Sequence, residues 1–236
     1  MKNINKYINY SICGFALSLP ISKAGTVFFS ILMILLWFLE FNFKEKIEIL
    51  KKSKFFVVLS ILILFSIIAS IWSPDINYSL DFLRKYWHFL VIPVILTSIK
   101  NEYIEKVIMF FLIGMFISEV FSYAIFFEII KYKDVLPSDP VPFMDHMNYS
   151  TYLAFAALLL LNKLFFEEEM KYKIFYFLYF LLTASSLFLN GGRTGQVIFV
   201  FTIFIVGFLN IKRKLLALAL MFILCSTILT VAYKVS

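Results

Sequence analysis

A polytopic, all-α bundle of transmembrane helices is the fold class this sequence predicts, and three observations predict it. Of the 236 residues, 62% are hydrophobic and only 16% charged, whereas a soluble domain runs nearer half apolar and a quarter charged. Mean hydropathy is +0.91. Apolar runs long enough for a bilayer recur from one end to the other, and they carry most of the 30 Phe and 13 Tyr. A soluble enzyme, a nucleic-acid-binding domain and a secreted disulfide scaffold are excluded on these grounds. The formal net charge of +7 reads as the basic loops of a membrane protein rather than a nucleic-acid footprint. Cys13 and Cys225 lie far apart in apolar stretches. With no CxxC or Cys/His cluster, neither a metal site nor a cofactor is expected.

About nine spans follow from the run lengths, near 7–22, 24–41, 55–72, 86–98, 106–130, 148–165, 173–190, 195–211 and 215–233. Helices are the only form that satisfies such continuous runs in lipid, and the alternation of a β-barrel is absent. Pro20 and Pro93 weaken the first and fourth. Lys2 and Lys6 precede the first run as in a signal peptide, but no cleavage site follows, so a retained helix is expected. The whole chain, 1–236, reads as one transmembrane helical domain.

Orientation follows from Lys and Arg. With the N-terminus inside, the inner segments hold 15 of these residues and the outer segments the other 7 of 22. This is the positive-inside bias, and it places the C-terminus outside. Trp72 and Trp87 then fall at the outer interface, where Trp is favoured. The outer loop 131–147 carries Pro137, Pro140 and Pro142, half of the six prolines, and is expected to be stiff and non-helical.

Four groups of polar residues are candidates for chemistry. In the first, Asn190-Gly191-Gly192-Arg193-Thr194-Gly195, three of the seven glycines fall in six residues. Glycine lets backbone N–H groups approach a ligand, a helix start attracts anions, and arginine grips phosphate in a planar fork. A diphosphate site is the functional reading, and a tight interhelical turn with a snorkelling arginine is the plain one. The second is Asp81, Arg84, Lys85 and His88, spaced to share one side of a helix at the outer surface. It would grip phosphate or sugar, or form a solvated interfacial helix with Asp81 paired to Lys85. Only three of the 22 basic residues are arginines, at 84, 193 and 213, and two of these fall outside.

The third group is Asp139, Asp145 and His146, a possible acid/base pair in a loop that is more often simply solvated. Asn148, Tyr149 and Ser150 follow at the span's start as sugar contacts or helix caps. The fourth is Glu119, mid-span, with Ser122 and Tyr123 one turn on. It reads as part of a proton or cation path, or as a satisfied structural carboxyl. Glu167, Glu168 and Glu169 form a solvated charge run.

Three stretches together resemble the O-antigen ligase and O-antigen polymerase family of bacterial inner-membrane glycosyltransferases. They are Ser79-Leu80-Asp81-Phe82-Leu83-Arg84-Lys85-Tyr86, His146-Met147-Asn148-Tyr149-Ser150 and Leu189-Asn190-Gly191-Gly192-Arg193-Thr194-Gly195. The last is similar to the family's small-residue–Arg–small-residue turn, with glycine where serine is frequent. The resemblance implies a multi-pass protein of the bacterial inner (cytoplasmic) membrane. It also implies transfer of a glycan from an undecaprenyl-diphosphate carrier at the outer face. The acceptor would be lipid A–core for a ligase, or a lipid-linked glycan for a polymerase. Arg193 and, less directly, Arg84 would hold the diphosphate. Gly191, Gly192, Thr194, His146 and Asn148 complete the expected substrate-binding set.

The family's candidate base lies in a long outer loop that would follow the ninth span, after Ser236. The chain is therefore expected to be an N-terminal portion, and no residue here is assigned as catalytic base. Membrane lipid is an expected partner and nucleic acid is not. Two other classes stay open: a transporter of an anionic solute using Glu119 and the outer arginines, and a non-catalytic truncated remnant.

Overall fold

A computed structural model of the chain describes residues 2–133 and 135–210, and among them there are helices and turns but no strand. The helices are α1 (Lys2–Ser18), α2 (Lys23–Leu39), α3 (Phe43–Lys52), α4 (Lys54–Ala69), α5 (Ile76–Arg84), α6 (Val91–Ser98), α7 (Asn101–Phe126), α8 (His146–Phe166), α9 (Met170–Leu189) and α10 (Arg193–Asn210). Short 3₁₀ turns extend α4 to Trp72 and fill Lys85–Leu90. The all-α expectation holds over the described residues.

Among the described residues four helical stretches are long and apolar enough to cross a membrane: Lys54–Trp72, Asn101–Phe126, His146–Phe166 and Met170–Leu189. A fifth arises if α2 and α3, bent by 118° at their junction, form one broken span. These helices mark a membrane protein. The expected nine are thus only partly met. The first run appears as α1, 17 residues ending before Pro20. The fourth shrinks to the eight residues of α6. Pro93 sits in the first turn of α6, where a missing N–H costs nothing. The eighth run is α10, whose apolar part, Arg193–Phe208, is short for a span. The ninth, 215–233, lies outside the described residues. The loop ahead of α8 is non-helical as its prolines require.

The chain divides into two compact units, one running to Phe111 and the other from Leu112 on. In the first, Ile8 and Ile12 of α1, Met33 of α2, and Val91 and Val94 of α6 form a buried apolar cluster. Asn9 is fully buried within this unit. Its Nδ2 donates to the Ser98 carbonyl at 2.9 Å and its Oδ1 accepts from the Lys100 N–H at 3.1 Å, which ties α1 to the end of α6.

The bend between α2 and α3 has a local cause. Phe41 takes a left-handed backbone, φ 63°, and so turns the chain without a glycine. Lys46 then folds back from α3. Its Nζ lies 3.0 Å from Glu40 Oε2 and 2.6 Å from the Trp37 carbonyl, and over the Trp37 ring. Asn5 of α1 donates to the other Glu40 oxygen at 3.1 Å. Both members of the ion pair are buried.

In the second unit α8 packs between α9 and α10. Its buried face includes Ser150, Leu153, Ala154, Ala157 and Leu160, and the small residues let neighbouring helices approach closely. A seam of hydroxyls joins α9 to α7. Tyr179 donates to the Leu112 carbonyl at 2.6 Å, Thr183 to Glu119 at 3.1 and 3.2 Å, and Tyr123 to the Leu182 carbonyl at 2.9 Å.

Candidate functional site

The second unit gathers two of the four candidate groups in one place. α8 starts at His146 because Asp145 caps it, accepting the Asn148 N–H at 2.9 Å and the Asn148 amide Nδ2 at 2.6 Å. The cap is therefore Asp145, rather than Asn148 or Ser150. The preceding loop is held down from α7, where Ser122 Oγ donates to the Pro140 carbonyl at 2.5 Å. This fixes Asp139, whose Oδ1 accepts the Gly191 N–H at 3.0 Å. The other carboxylate oxygen faces His146 Nδ1 at 3.9 Å. The proline loop, the start of α8 and the glycine turn thus share one acid–imidazole cluster.

The glycine turn is built from the inside. Asn190 is buried, with its Nδ2 bonded to the Ser186 carbonyl at 3.0 Å and its Oδ1 accepting the Gly192 N–H at 2.9 Å. The Arg193 N–H goes to the Gly191 carbonyl at 3.0 Å and the Gly195 N–H to the Gly192 carbonyl at 3.1 Å. The amides of Gly191 and Gly192, expected to face an anion, are therefore engaged within the protein. Gly192 is buried, and a Cβ there would collide with Ser150 and with the His146 carbonyl at 2.7 Å. Its role in this geometry is close approach of the turn to α8. What remains for a ligand is the side chains of Arg193 and Thr194. Both are exposed and make no hydrogen bond or ion pair among the described residues.

Gly195 makes the same kind of contact one turn later, against the backbone carbonyl and Cβ of Ser150. Backbone cannot step aside, so Gly195→Ala is expected to cost about 1–3 kcal/mol by overpacking. Gly191→Ala is the matched control, because its Cβ would meet only the Asp139 carboxylate at 3.8 Å. Thermal unfolding in detergent should separate the two, and equal midpoints would refute the packing role.

Asp139 also gives a local test. Asp139→Ala removes the acceptor of the Gly191 N–H. Amide exchange at Gly191 is expected to rise by an order of magnitude or more, since bonds to charged groups contribute about 1.5–3 kcal/mol. Unchanged exchange would mean that the turn stands without the loop.

The other groups fall elsewhere. Arg84 closes α5, and Lys85 and His88 lie in the 3₁₀ turn that follows, so the four residues of that stripe do not share one α-helical face. A 3₁₀ turn advances three residues per turn and breaks the expected register. All four are exposed, and Asp81 makes no ion pair with Lys85. Arg84 belongs to the first unit, Arg193 to the second. Glu119 is fully buried, and its partner is Thr183 of α9, not Ser122 or Tyr123, whose hydroxyls serve the loop and α9. Among the described residues no three His, Cys, Asp or Glu side chains gather into a metal site.

The pairing of Asp139 with the turn spans 52 positions, and no local signal announces it. Compared with known proteins, the chain matches no family model, no curated protein and no solved structure.

Proposed function

We propose that the protein is a membrane glycan transferase of the O-antigen ligase or polymerase kind. It would act on an undecaprenyl-diphosphate-linked glycan at the outer face of a bacterial inner membrane. The observation that carries the reading is the exposed Arg193, whose side chain has no partner among the described residues, on a turn held by the Asp139 bond to the Gly191 N–H. A guanidinium without an internal partner is matched to a diphosphate by charge and by its planar fork.

In this reading Arg193 holds the diphosphate of the donor and stabilises the charge that grows on it as the glycosidic C–O bond breaks. Thr194 Oγ1 adds a hydroxyl beside it. His146, whose Nδ1 lies 3.9 Å from Asp139 Oδ2, is a substrate contact beside the turn, and a base outside this set takes the acceptor's hydroxyl proton as the new C–O bond forms. Asn148, two residues along α8, offers its amide oxygen to a sugar hydroxyl, its Nδ2 being bonded to Asp145. Gly191 and Gly192 contribute shape rather than bonds.

The test is transfer in proteoliposomes. Chain reconstituted with an undecaprenyl-diphosphate-linked oligosaccharide is offered either lipid A–core or a second lipid-linked repeat. Product with the first acceptor marks a ligase, and with the second a polymerase. No product with either, from protein that has inserted normally, removes the assignment.

A further inference from the structure

A groove in the first unit lies outside everything above. α3 and α4 meet at Ser53, whose hydroxyl caps α4 by accepting the Phe56 N–H at 3.3 Å. The two helices enclose a cleft of about 400 Å³. Its walls are Ile47 and Leu50 of α3, and Val57, Ile61 and Leu64 of α4 among others, and the only ionisable side chain on it is Lys51.

Two further observations say what such a cleft holds. α4 is among the most apolar stretches of the chain, and none of its spanning window is buried within the protein. Its sides therefore belong against acyl chains. The helix junction at the groove, by contrast, is strongly basic. Lys51, Lys52 and Lys54 fall within four residues with no carboxylate between them, all exposed, and none forms an ion pair among the described residues. The basic residues that α3 does satisfy internally are confined to Lys46, bonded to Glu40. An apolar trough beside lysines that form no ion pair among the described residues complements one kind of molecule: an acyl chain attached to an anionic headgroup. Basic pockets between membrane helices bind anionic lipids by this pairing of charge and hydrocarbon.

The geometry points to a specific anionic-phospholipid site in the α3–α4 groove, with an acyl chain along Val57, Ile61 and Leu64 and the headgroup phosphate on Lys51. The site is independent of the glycan-transfer reading and stands or falls separately from it.

The experiment is native mass spectrometry of the full chain released from detergent, titrated with phosphatidylglycerol and, separately, with phosphatidylcholine. Phosphatidylglycerol is expected to be retained preferentially. Lys51→Gln should weaken its binding about fivefold, the contribution of one lysine at a charged membrane surface. Val57→Trp, a change at a half-exposed wall position, should displace both lipids from the strongest site. Lys44→Gln, an exposed lysine of α3 that does not line the groove, should leave binding unchanged. Equal retention of the two lipids would overturn the site. So would a Lys44→Gln loss as large as that of Lys51→Gln, or full binding by Val57→Trp.

Discussion

Lys46→Met is expected to lower the unfolding free energy by about 3–5 kcal/mol, the cost of stripping one partner from a buried ion pair. The side chains of Lys46 and Glu40 are 5% and 10% exposed, so water cannot replace the missing ammonium at Glu40. Methionine preserves the apolar stem of lysine, which confines the loss to the charge. The Asn5 bond to Glu40 survives, but a neutral amide offsets only part of a carboxylate's desolvation. The double variant Lys46→Met with Glu40→Leu should recover most of the loss, because replacing both members by apolar residues is often neutral. Thermal unfolding in detergent, followed by circular dichroism, gives the comparison. A single variant that melts with the parent, or a double variant no better than the single, would show that the bend between α2 and α3 does not depend on this pair.

That ion pair marks where sequence reading stops. From the sequence, Lys46 counted only as one of many inner positive charges, because nothing local distinguishes it from exposed Lys44, Lys51 and Lys52. Its burial depends on the 118° turn at Phe41, which no glycine or proline announces. The helix that carries it, α3, falls between the predicted spans 24–41 and 55–72. Six of its ten residues are charged, and a short mixed segment gives a weak periodic signal beside the long apolar runs. Those runs were legible for the opposite reason. The stretch 148–165 appears as His146–Phe166 and 173–190 as Met170–Leu189, since continuous apolar sequence in lipid leaves the backbone only one way to satisfy itself.

The candidate site divides along the same line. Its parts were visible, because glycines, prolines and a lone arginine are scarce in this chain. Their assembly was not. The bond from Asp139 to Gly191 crosses two helices and 52 positions, and its geometry is set by Ser122 gripping the Pro140 carbonyl. The same assembly reassigns the glycine amides. They satisfy Asp139 and Asn190, which leaves side chains instead of backbone to meet the proposed anion.

Arg193 is therefore where the largest functional effect is expected. Arg193→Ala should reduce kcat for glycan transfer by about 10²–10³, the effect of removing one preorganised donor from developing negative charge. Arg193→Lys should restore little, because an ammonium supplies a point charge without the planar fork. The KM for the acceptor should hardly change in either variant, since the diphosphate belongs to the donor. Stability supplies the decisive contrast. The Arg193 side chain is exposed and has no internal partner among the described residues, so its removal should shift the unfolding free energy by no more than about 0.5 kcal/mol. A structural arginine would show the reverse, a lower midpoint with activity falling in proportion. Loss of turnover at unchanged stability, poorly rescued by lysine, is the combination that only a ligand-facing guanidinium produces. Normal turnover by Arg193→Ala would leave the turn as nothing more than a tight connection between α9 and α10.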